Sequence, residues 1–95
     1  MARIRRMVLD VMIPHATDST AITKKLADMT GITGVGTMIK EMDKRVTNIK
    51  IVIEGKNIQS KRVEAAIESL GGSIHSVDNI VAGKVMVEDV KTLQD

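Results

Sequence analysis

The sequence has no cysteine, no aromatic residue, a single proline and no apolar run approaching the length of a membrane span. Each absence removes a class of function. Without cysteine there is no disulfide framework, thiolate metal site or cysteine nucleophile. Without Phe, Tyr or Trp there is no platform on which bases can stack, the usual route to single-stranded nucleic-acid recognition. A membrane helix needs about 20 apolar residues. Here Arg3, Arg5 and Arg6 lead into a strand pattern containing Asp10 rather than into the apolar core of a signal peptide. The expectation is a cytoplasmic protein with neither a membrane nor a nucleic acid as partner. Charge points the same way, since 14 basic residues face 12 acidic ones for a net +2.

What is present is an ordinary globular balance, 43% hydrophobic and 27% charged over 95 residues. That is enough for one domain burying roughly 60 to 70% of the surface its unfolded chain exposes. With no rings, the core must be built from Ile, Val, Leu and the seven Met.

The periodicities order the chain. From Arg3 to Ile13, Met7, Leu9, Val11 and Ile13 alternate with Arg6, Val8, Asp10 and Met12, which is the period-two signature of a strand, and Pro14 ends it. Thr17, Asp18, Ser19 and Thr20 offer N-cap oxygens to a helix carrying Ile22, Leu26 and Met29 and stopping at Gly31. Ile32 to Met42 and Val46 to Glu54 form a hairpin about Asp43, Lys44 and Arg45, with Val35, Ile39, Ile49, Ile51 and Ile53 facing inward. A loop at Gly55, Asn57 and Ser60 precedes a second helix marked by Val63, Ala66, Ile67 and Leu70 and closed by Gly71 and Gly72. Ser73 to Gly83 is the fourth strand. Its inward face is ambiguous, because Ile74 with Ile80 and Val77 with Val81 imply opposite registers.

Strand, helix, strand, strand, helix, strand with right-handed crossovers predicts an α+β ferredoxin-like sandwich: a four-stranded antiparallel sheet with two helices on one face and strands one and three central. Residues 1–84 make the domain and 85–95 a C-terminal arm. The sheet face opposite the helices then shows Arg6, Val8, Asp10, Met12, Met38, Lys40, Met42, Lys50, Val52 and Glu54, half apolar and half charged. In the arm, Val85, Val87 and Val90 suit pairing with a neighbouring subunit.

Leu9-Asp10-Val11 with Pro14-His15, Asn48-Ile49-Lys50-Ile51 with Ile53-Glu54-Gly55, and Gly71-Gly72 with Ile74-His75-Ser76 and Val81-Ala82-Gly83 together resemble an archaeal family, domain-of-unknown-function family two-eleven. The likeness runs over essentially the whole chain to Gln94-Asp95. It implies a ferredoxin-like domain assembling into homo-oligomeric rings, and it speaks to fold more than to activity.

Many functions share this fold, so function must be read from a site. Copper chaperones need a CxxC pair after the first strand, where this chain has Pro14-His15-Ala16-Thr17. Acylphosphatase-like catalysis needs an arginine and glycine cradle in the same loop, which has neither. Amino-acid-sensing domains of the ACT type bind ligands where the first strand meets the first helix. Asp10 and Pro14 fit that plan, but His15 replaces the expected glycine.

Asp10 is the sharpest residue, a carboxylate within a central strand that must be paired, hydrogen-bonded or metal-bound. A structural ion pair with Lys50 or Arg6 is one reading. The other joins Asp10, Glu54, His75 and Asp78 as ligands of a divalent cation, with calcium drawn to the carboxylates and zinc to the histidine. No catalytic triad is placed by the scattered serines. The expected protein is a non-enzymatic homo-oligomer with Val8, Met12, Met38, Met42, Val52, Val85 and Val87 at its interfaces. The alternative is a regulatory module responsive to calcium, another divalent cation or a small ligand.

Overall fold

The structure, a computed structural model, describes residues 2–84. Its elements run β1 (Ile4–Pro14), α1 (Ser19–Ala27), β2 (Ile32–Met42), β3 (Val46–Ile58), α2 (Ser60–Ser69) and β4 (Ser73–Ala82). The strands pair antiparallel in the order β2-β3-β1-β4. The fold is the ferredoxin-like α+β sandwich that the periodicities predict.

The inward sets of β1 and β3 meet in register, Met7 with Ile53, Leu9 with Ile51 and Val11 with Ile49. They form one cluster with Ile22 and Leu26 of α1 and Val63 and Ile67 of α2. Most of these side chains have no exposed surface at all, and each stabilises the fold by roughly 1.5–3 kcal/mol. Both helices therefore lie on one face, and the alternation in β1 and β3 decides which.

Caps set the ends of the helices unequally. Asp18 accepts a hydrogen bond from the Thr20 amide at 2.9 Å and starts α1, whereas Gln59 begins α2 with no side-chain cap. The turn between β2 and β3 is held by Asp43, whose Oδ1 accepts the amides of Arg45 and Val46, both at 2.8 Å. Those two bonds, aided by the nearby His15, hold its carboxyl below the usual aspartate range.

The structure departs from the sequence reading at three points. β3 does not end at Glu54 but continues through Gly55 and Asn57 to Ile58. The chain after α1 turns at Gly31, with φ +90°, and its carbonyl accepts the amides of Lys56 and Asn57 at 2.9 and 3.1 Å. A Cβ on Gly55 would collide with that carbonyl, so the glycine marks a close backbone approach within a strand rather than a loop.

Ile39, expected inward, pairs with Ile49 on the helix side yet is 56% exposed, beyond Thr37, where α1 meets β2 through the Thr23 hydroxyl at 2.7 Å. Finally, β4 adopts both registers. Bulges on either side of the Ser76–Asp10 and Val77–Leu9 pairs, at His75 and at Asp78, let Ile74, Val77 and Ile80 all oppose inward residues of β1, while Val81 opposes Arg6.

Candidate functional site: the open face of the sheet

No described element covers the sheet face opposite the helices. β1 brings Arg6, Val8, Asp10 and Met12 to it, and β3 adds Glu54, Val52, Lys50 and Asn48 directly across. From β2, Met38 pairs with Lys50. Val8, Met12 and Val52 are half-buried among their neighbours, while Met38 is 61% exposed.

Met42 does not share this face as the alternation implied. A register shift between Ile39 and Glu41 pairs Met42 with Thr47, a residue of the helix-side set, and Glu41 takes the open-face position opposite Asn48. The shift leaves Lys40 as the extra residue, and its ammonium reaches Asp10 Oδ2 at 3.5 Å. The partner of Asp10 is therefore neither Lys50 nor Arg6. Arg6 donates from Nε to Glu54 Oε2 at 3.0 Å. Among the described residues, ion pairs thus cross the face between Asp10 and Lys40 and between Glu54 and Arg6.

Asp10 is buried, and its Oδ1 has no hydrogen-bond partner. The same holds for Oδ1 of Asn48 and of Asn79. Asn48 lies opposite Met12 and Asn79 opposite Val8, so all three acceptors belong to the open face. An unsatisfied buried acceptor costs about 1–3 kcal/mol. Sequence reasoning missed both asparagines, since a single amide in a strand carries no period. Arg5 ties the start of β1 to β3 and to the end of β4, through Nε to the Gly55 carbonyl at 3.0 Å and Nη1 to those of Gly83 and Lys84 at 3.3 and 2.9 Å.

The four residues considered as cation ligands are distributed among separate contacts. Asp10 faces Lys40, Glu54 faces Arg6, and Asp78 Oδ1 accepts the Ser76 hydroxyl at 2.7 Å, while His75 is exposed in a bulge of β4. Among the described residues no three His, Asp or Glu are grouped to hold a metal ion. Val85, Val87 and the rest of the proposed arm lie outside the described residues. No described helix is long and apolar enough to cross a membrane.

A family profile described as "Uncharacterized ArCR" matches residues 5–95. The chain is also 45% identical over 95 residues to the "Uncharacterized protein MJ0319" of Methanocaldococcus jannaschii, covering 100% of this chain and 98% of that protein. A match of this extent, over all four strands and both helices, makes the chain a member of the DUF211 family.

Proposed function

We infer that the protein is a non-enzymatic homo-oligomer whose copies bury the open sheet face against one another. The observation that carries this reading is the chemistry of that face. It combines apolar side chains, Val8, Met12, Val52 and the exposed Met38, with ion pairs and with three buried acceptors lacking partners. A solvated face of an antiparallel sheet tends to polar side chains, and charged groups are rare in interiors unless paired. A mixture of apolar patches and aligned charges is the composition of a protein–protein interface, where the charges set register.

Ile39 and Met42 on β2 and Val77 and Ile80 on β4 are also 47% to 58% exposed, but they pair with helix-side residues at opposite edges of the sheet and lie outside the open face. The bulges in β4 guard its backbone against indiscriminate strand pairing, which favours contact through side chains.

Met38→Glu tests the assignment. Met38 stands opposite Lys50, so a glutamate there gains a cross-strand partner and spares the isolated fold, while placing a charge in the interface. Light scattering on the variant should give a smaller mass than on the wild type, with a similar thermal unfolding midpoint. An unchanged mass would remove the open face from the interface.

A further inference from the structure

At the end of the sheet where β1 begins and β4 finishes, a cavity of about 790 Å³ is lined by Ala2, Arg3, Arg5, Lys56, Gly83 and Lys84. Four of these are cations, and no acid joins them among the described residues. Arg5 is immobilised by its bonds to the carbonyls of Gly55, Gly83 and Lys84 through Nε and Nη1. Its Nη2 has no acceptor among the described residues, and neither Arg3 nor Lys56 makes an ion pair there. Like charges gathered around one cavity repel, a cost to the fold that a bound anion would reverse.

The adjoining groove continues the pattern. It is shared by Arg3, Lys61 and Arg62, and the last two occupy the first turn of α2, which contains no acid. A helix start favours negative charge, so two cations there are locally unfavourable. Departures of this kind from local rules are expected where a function is served.

We propose that this basic cavity binds a small oligophosphate, such as pyrophosphate, tripolyphosphate or the phosphate chain of a nucleotide. Arg5 Nη2, the part of the guanidinium not committed to carbonyls, is held in place to donate to a phosphoryl oxygen, and the flanking lysines and Arg3 add charge along a chain of such groups. The cavity has room for more than one phosphoryl group. Because the sequence has no aromatic residue, nothing stacks on a nucleobase, and recognition rests on the phosphates alone. The site lies at the strand ends rather than on the open face, so it stands independently of the assembly inferred above.

Calorimetric titration of the full chain with tripolyphosphate tests this, comparing Lys56→Glu with Lys44→Glu. Both lysines are exposed and the charge change is identical, but Lys44 sits in the hairpin turn at the opposite end of the sheet. Saturable binding should weaken about tenfold or more in Lys56→Glu and less than about twofold in Lys44→Glu, tenfold corresponding to the loss of one good charged contact. Arg3→Glu should match Lys56→Glu, and ATP and CTP should bind alike. The proposal is overturned if the wild type takes up no tripolyphosphate or if Lys44→Glu loses as much as Lys56→Glu. It also fails if ATP and CTP differ tenfold, or if a single-stranded oligonucleotide binds where tripolyphosphate does not.

Discussion

The two faces of strand β1 solve opposite problems with alternate residues of one segment. Met7, Leu9, Val11 and Ile13 are at most 2% exposed beneath the helices, with no polar atom among their side chains. Arg6, Val8, Asp10 and Met12 form the other face, where ion pairs reach across to β3 and β2 and buried acceptors lack partners. The first face is sufficient to explain why the chain folds. The second adds little to folding and is better suited to specifying what the folded chain meets, because charges and apolar groups together give orientation as well as area.

This contrast can be broken most sharply from the helix side. Leu9→Ala or Ile51→Ala should lower unfolding free energy by about 2–5 kcal/mol in denaturant melts, since both sites are sealed and a cavity remains. A loss below about 1 kcal/mol would mean the covered face is not the main source of stability. Gly55→Ala should follow, at about 1–3 kcal/mol by the same measurement, because the Gly31 backbone must retreat from the new methyl group.

On the open face the expectation reverses. Asp10→Leu removes a buried carboxylate with one long ion pair and one unpartnered oxygen. The melting free energy of the variant should change by less than about 1 kcal/mol or rise, because the partner left behind, Lys40, is 42% exposed and stays solvated while an unpartnered buried acceptor is removed. A loss of more than about 2 kcal/mol would show that the carboxylate belongs to the folding machinery after all.

The smallest effect belongs to the hairpin turn. The carboxyl of Asp43 is held below its ordinary value by the amides of Val46 and Arg45. Its contribution is thus complete above the unfolded-state pKa and disappears as pH falls through the lower folded value. Asp43→Ala should lower the melting temperature slightly near neutral pH, and the difference from wild type should vanish in acid below that folded value. A constant difference across the titration would contradict the assigned hydrogen bonds.

How far the sequence could be read follows the same division between faces. The covered face was legible because burial imposes strict alternation on β1 and β3 and a helical period on Ile22, Leu26, Val63 and Ile67. The edges were not, because a bulge deletes the period that alternation relies on. The contradictory signals in β4 were two true registers joined by bulges, and the shift after Ile39 moved Met42 away from the open face and brought Lys40 to Asp10. Gly55 looked like a loop residue since a strand glycine forced by a neighbouring carbonyl leaves the same mark as a turn. The basic cavity follows no local pattern, as its cations come from three separate stretches of the chain, at Arg3 and Arg5, at Lys56 and at Lys84.

The central claim, that copies of the chain share the open face, is tested most directly by the mass of the intact protein in native solution at micromolar concentration. The account predicts a discrete species at several multiples of 10.3 kDa. A single species at 10.3 kDa, unchanged on concentration, would contradict it.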